Sequence, residues 1–319
     1  MPICPLLFSL FSADTPCMRP FLLAWPGIDR HRGRWCVLFP MRSLVAMVLL
    51  LMLCPLALAR PGDQDKPPWV LYEIGQRHYR NRSYARALEY YGQALARQPL
   101  FPEAHAGIAR VHRAAGDRDL AIRSFRQALE MSPHLSIPEE QIHLRLELVQ
   151  LYSYLDAREA RELREKELLH ILEDDPVFSR EADQGQREAM ETLLYRSGLD
   201  RVLVLYRLDY TRTVEAHRLR GLDLLETSRQ DDRHLAVEHF LFAAVAVASR
   251  AVEAIIQRQY DFEFTTLRAF FPVAHRYPEV DHFLEISKFR EILSLLARAL
   301  EESGDPRGGE SARMIRAVL

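Results

Sequence analysis

Between residues 68 and 133 the chain repeats one pattern with a period of 34 residues. The stretch YARALEYYGQALARQP (84–99) returns as RDLAIRSFRQALEMSP (118–133). Ala87 becomes Ala121, Leu88 becomes Ile122, Tyr91 becomes Phe125, Ala94 becomes Ala128, Leu95 becomes Leu129 and Pro99 becomes Pro133. Upstream, Ile74, Gly75 and His78 match Ile108, Ala109 and His112. A fixed period of this length means stacked helix–turn–helix units, each of which buries its apolar face only against its neighbours.

The small residues Gly75, Ala87 and Ala94, the ring of Tyr91 and the closing Pro99 resemble the tetratricopeptide repeat (TPR) family. That resemblance implies an all-α, TPR-type solenoid of helical hairpins. The two clear repeats are 68–101 and 102–135, with helices expected at about 69–81 with 84–97 and 102–115 with 118–131. Asn81-Arg82-Ser83 and Gly116-Asp117 supply the turns, and Pro99 and Pro133 stop the second helices because proline cannot continue one. The segment 136–175 keeps the hairpin with an apolar stripe at Leu144, Leu148, Leu151, Tyr152 and Leu155, but loses the small residues. It is a degenerate repeat.

From 176 to 319 the resemblance survives in fragments within a helical region. A helix is expected over 179–198. The run LDRVLVLYRL (199–208) looks strand-like, but the apolar spacing through Val214, His217, Leu222 and Leu225 favours one long helix. Ala236, Val237, Phe240 and Ala243 align with Ala87, Leu88, Tyr91 and Ala94 of a second repeat helix. The continuation through 248 is apolar on all sides, yet its uncharged run is too short to span a bilayer, so a buried helix is expected at the centre of the C-terminal half. Residues 295–306 end in a Gly304-Asp305 turn like that at 116–117, and a short final helix at about 310–318 would cap the stack.

Ahead of the repeats, 41–59 reads as a secretory signal peptide: Arg42, an apolar stretch from Leu44 to Cys54, and Ala57-Leu58-Ala59 as a small-x-small cleavage site. A retained membrane anchor is the alternative. A lipidated Cys54 ranks below both, because Leu53 precedes it where a small residue is wanted. Residues 1–40 are either upstream read-through before a start at Met41 or a cytoplasmic tail whose arginines would keep it inside. Residues 60–67 form a Pro/Gly-bearing linker. Each route sends the repeats out of the cytoplasm, to the periplasm or cell envelope. All four cysteines lie at or before residue 54, so the repeats hold no disulfide, thiolate metal site or cysteine nucleophile.

In TPR proteins the first helix of each repeat lines a concave groove. The resemblance carries that role to Trp69, Tyr72, Gln76 and Tyr79, then to Glu103, Ala106, Arg110 and Arg113. Three aromatics and two arginines suit a peptide or protein partner in the envelope, since rings give rigid apolar area and arginine forks grip carboxylates. The groove residues proposed are Trp69, Tyr72, Gln76, Tyr79, Arg110 and Arg113. The chaperone-tail clamp of the family is excluded, because it needs Lys and Asn where this chain has Tyr72 and Gln76.

The formal net charge of −2 gives no basic face for nucleic acid, and the N-terminal segment, if uncleaved, is the only membrane contact expected. His78, His105 and His112 are expected as packed core histidines, and no cofactor is called for. No phosphate loop, nucleophile elbow or zinc helix occurs, which points away from an enzyme. Two alternatives stand beside the scaffold. One is a small-ligand or transporter-associated module with a pocket near Phe240, Phe242, Phe270 and Phe271. The other is a metal-dependent enzyme on the 140–170 hairpin, built from Glu140–His143 and Glu167–His170 in the manner of di-metal bundles.

Overall fold

The computed structural model describes residues 66–173, 175, 199–205, 207, 208, 210–227, 229–258 and 266–319. Every described residue lies in one compact unit, Gln64–Leu319. The expected signal segment 41–59, most of the 60–67 linker and the helix at 179–198 fall outside the described residues.

Among the described residues every regular element is helical. The N-terminal repeats are α1 (Pro68–Arg80) with α2 (Tyr84–Arg97), and α3 (Pro102–Ala115) with α4 (Arg118–Glu130). Proline opens both first helices, where its missing N–H costs nothing. Gly116 closes α3 with φ +90°, a left-handed position open to glycine at no steric cost. The equivalent turn of the first repeat places Arg82 at φ +57°.

The third hairpin is α5 (Glu140–Tyr152) with α6 (Ala157–Glu173), entered through a 3₁₀ turn at Ser132–His134. The next two helices correct one expectation. Instead of a single long helix there are α7 (Leu199–Leu205) and α8 (Val214–Leu225). The break has a hydrogen-bonding cause: Arg207 Nη1 donates to the Val204 carbonyl, and the Leu208 amide donates to Ser249 Oγ at 3.0 Å. Both backbone groups find partners outside the helix ladder. The rest is α9 (Gln230–Ile256), α10 (Leu267–Ala274), α11 (Pro278–Ile286), α12 (Phe289–Glu302) and α13 (Gly308–Arg316).

Five hairpins follow one another: α1–α2, α3–α4, α5–α6, α8–α9 and α12–α13. The second helix of each packs on the first helix of the next. Helix α7 lies against α9, α10 and α13, on the side of the second helices. Helix α9 is long and apolar enough to cross a membrane, but 78% of its apolar window is buried. It is the axis of the C-terminal core, as its all-round apolar sequence requires.

Close helix crossings set this stacking. The phenol of Tyr91 lies between α1 and α3. A Cβ built on Gly75 would sit 2.6 Å from the Tyr91 ring, and one on Gly107 would sit 2.7 Å from it. The C-terminal half repeats the device. A Cβ on Gly221 of α8 would lie 2.7 Å from the ring of Phe240 on α9. Helices α8 and α9 therefore form a repeat hairpin with three more residues between its small positions, Gly221 to Ala236 against Gly75 to Ala87.

Candidate functional site

Helices α1, α3 and α5 are the first helices of consecutive hairpins, and the charges of Arg110 and Glu103 on α3 and Glu140 on α5 reach Tyr72 on α1. Trp69 is 63% exposed at the start of α1. Tyr72 is half-buried, its ring 5.7 Å from Tyr91 and 5.4 Å from Phe101, and its hydroxyl accepts from the Gln76 amide. Burial raises the Tyr72 pKa, opposed by the nearby Arg110 charge and the Gln76 bond. Tyr79 lies 6.0 Å from Tyr84 at the other end of α1. Tyr72 and Tyr79 each pack against neighbouring rings, and Trp69 is the most exposed aromatic of the row.

The two arginines are already engaged within the chain. Arg110 Nε donates to Glu147 Oε1 at 2.9 Å, and its Nη2 lies 3.4 Å from Glu140 Oε1. Arg113 Nη1 lies 2.8 Å from Glu147 Oε2. Burial alone would lower the Arg110 pKa, but the Glu147 bond and charge outweigh it and the value rises. Arg110 stays cationic while its charge is balanced from α5.

These pairs fix the register of the third hairpin, 37 residues from Arg110 to Glu147. The same offset sets Glu103 level with Glu140 and buried Gly107 and Val111 level with buried Leu144 and Leu148. Sequence reasoning missed Glu147 of α5 as the partner of Arg110 and Arg113, because it carried the register no further than α3. The available signal was that burial pattern, shifted by the longer loop at 131–139. Glu103 also accepts from the Ser136 amide of that loop at 2.7 Å.

A similar row continues on α8 and α12. With Gly221 in the place of Gly75, Glu215 and Arg218 fall at the groove positions of α8. Arg218 pairs with Glu215 at 2.7 Å and with Glu291 of α12 at 2.8 Å, and Lys288 reaches Glu215 at 3.3 Å. Lys288 does so from a left-handed backbone conformation, φ +54°, rare for a side chain of its kind.

The three histidines differ from expectation. His78, His105 and His112 are half-buried instead of core. His78 stacks on Tyr90 at 5.3 Å, and His112 Nδ1 lies 3.9 Å from Asp117. For the di-metal reading, Glu140 faces Arg110, Glu167 bonds Arg145, and His143 and His170 are exposed. Among the described residues, no group of three His, Cys, Asp or Glu is placed to hold a metal ion. Phe240, Phe242, Phe270 and Phe271 are all buried in one core cluster, filling the space the pocket reading required.

Residues 72–136 match the tetratricopeptide repeat family. Over those residues the chain carries tetratricopeptide repeats. It is also similar to the photosystem I assembly protein Ycf3 of Dioscorea elephantipes, at 32% identity over a match that covers 20% of this chain and 46% of that relative. The chain thus spans about half the length of the curated relative it matches. The family match falls on the repeats, which point to a scaffold for protein–protein interaction.

Proposed function

We propose that the chain is a non-catalytic, exported scaffold that binds a peptide or protein partner in the cell envelope through the groove of its first helices. The observation that supports this reading is the row Trp69, Tyr72, Gln76 and Tyr79 on α1, in which Tyr72 and Tyr79 are packed against neighbouring rings and Trp69 is exposed. Rigid aromatic area of this kind is what binding hot spots use. With Arg110 and Arg113 paired to Glu147, they would hold the groove wall and recognise the partner only by exchanging carboxylates. Export rests on the signal-like segment 41–59, and membrane association on whether that segment is retained. The Ycf3 likeness supports a role in which a protein is held for assembly, with the partner itself to be identified.

Affinity capture from envelope extracts tests the reading. Trp69→Ala and Tyr79→Ala should each lose a partner that the unmodified chain retains, while their helical circular dichroism stays unchanged. Equal capture by both variants would place binding elsewhere. N-terminal sequencing of the mature protein tests export, with a new terminus after Ala59 expected.

A further inference from the structure

The first helices of the three leading hairpins carry more acid than base. Along the register positions assigned to the groove, α1 has no charge, α3 has Glu103, Arg110 and Arg113, and α5 has Glu140 and Glu147. Three carboxylates thus stand against two guanidinium groups. Both arginines pair with Glu147, each at 2.8 Å, and Arg110 also reaches Glu140 at 3.4 Å. Glu103 is the one left over. Its Oε1 accepts from the Ser136 amide, a neutral donor, at 2.7 Å, and its Oε2 has no hydrogen-bond partner. Among the described residues no cation forms an ion pair with it.

Tyr72 locates this surplus at the aromatic end of the row. Its ring is 5.4 Å from Phe101, two residues before Glu103 at the entry to α3. Burial is the main cause of the raised Tyr72 pKa, and the charges of Glu140 and Glu103 add to it against Arg110. One helical turn before Tyr72, the Trp69 side chain is open to solvent. Leu100, beside Phe101, and Ile137, beside Ser136, are each more than half exposed. Glu103 is half-buried and Glu140 keeps 32% of its side chain exposed, so both charges act at the surface.

An acidic ligand finds no open arginine fork here. To bind one, Arg110 or Arg113 must leave Glu147, and the released carboxylate then repels the incoming one. A basic ligand needs no such exchange. An ammonium or guanidinium over the Trp69 ring meets the negative face of an indole, the best aromatic platform for a cation. Glu103 and Glu140 balance its charge, and it offsets the cost of a carboxylate left without a counter-charge.

We propose that Trp69, Glu103 and Glu140 receive a lysine or arginine side chain of the partner, with apolar partner residues against Leu100 and Ile137. This inference rests on the groove reading and names the chemistry of its ligand. Spacing alone suggests the opposite sign, because Arg110 and Arg113 look free until α5 is placed beside them.

Selection of a library of random short peptides on the immobilised whole chain tests it. Enriched peptides should carry Lys or Arg next to an apolar residue, and Trp69→Ala should fail to retain them. In titrations with one such peptide, replacing its Lys by Gln should weaken binding about fivefold, the upper end for an exposed ion pair. Glu103→Gln keeps an oxygen for the Ser136 amide but removes the charge. It should weaken the Lys peptide by a similar factor and leave the Gln peptide unchanged. Added salt should weaken the Lys peptide alone. Enrichment of acidic or uncharged peptides that still depends on Trp69 overturns this inference and leaves the groove reading standing. Peptides held equally by Trp69→Ala, or no enrichment at all, overturn both. A Lys peptide bound as tightly by Glu103→Gln as by the unmodified chain overturns the inference alone.

Discussion

Tyr91 joins two hairpins through a single ring. Its phenol occupies the space that Cβ atoms on Gly75 and Gly107 would claim, so one residue sets the approach of both α1 and α3. Replacing Gly107 by Ala should cost about 1–3 kcal/mol through overpacking, read as a lower urea midpoint with unchanged slope. Gly221→Ala should cost a similar amount in the C-terminal half, where Phe240 takes the part of Tyr91. An exposed control, Gly92→Ala, meets nothing within 4 Å and sits in a helix, so it should stabilise by a few tenths to about 1 kcal/mol. At this scale the sequence was readable where the period was strict. Tyr91, Ala87 and Ala94 are buried where the repeat pattern puts them. Gly221 was not legible, because three extra residues between Gly221 and Ala236 move it out of step with Phe240.

Between elements, ion pairs do much of the joining. Arg110 and Arg113 tie α3 to α5 through Glu147, and Arg145 ties α5 to α6 through Glu167. Arg164 and Arg220 tie α6 to α8, and Arg218 ties α8 to α12. Burial raises the Asp223 carboxyl pKa even with Arg164 beside it. Removing that partner with Arg164→Ala should destabilise by on the order of 2 kcal/mol, between the values for exposed and buried pairs. Exchange should quicken in α8 before α3 and α4, as hydrogen-exchange mass spectrometry can show. Glu215 has the opposite sign. Burial raises its pKa, but Arg218 and Lys288 outweigh that and hold it below the usual carboxylate range. Its contribution is present above the unfolded value, near pH 4.3, and is lost as pH falls through the lower folded value. Glu215→Gln should therefore lower stability at pH 7 and flatten its fall below about pH 4.5, as urea titrations at several pH values would read. The pairs that join different helices could not be found from spacing alone, since their members lie 22 to 73 residues apart. The break between α7 and α8 was hidden for a related reason. Apolar periodicity runs across it, while the groups that end the helix, Ser249 among them, come from distant sequence.

As a whole, the described unit is a stack of five repeat hairpins in which only the first two and the third were plain from the period. The fourth and fifth complete the burial that two repeats alone could not supply. The first helices of the first three hairpins change from aromatic at α1 to internally paired charge at α3 and α5. A partner is therefore expected to seat first against Trp69, Tyr72 and Tyr79. Of the six residues picked from the repeat register, Arg110 and Arg113 turn out to be paired with Glu147, which depended on α5, whose register shifts by three. Site-specific photo-crosslinking tests the central claim most directly. A photoreactive residue at Trp69 or Tyr79, compared with one at exposed Glu89 on a second helix, should capture a protein partner from the first two positions and not from the third. Adducts from Glu89 alone, or none along the α1 row with a partner present, would contradict the account.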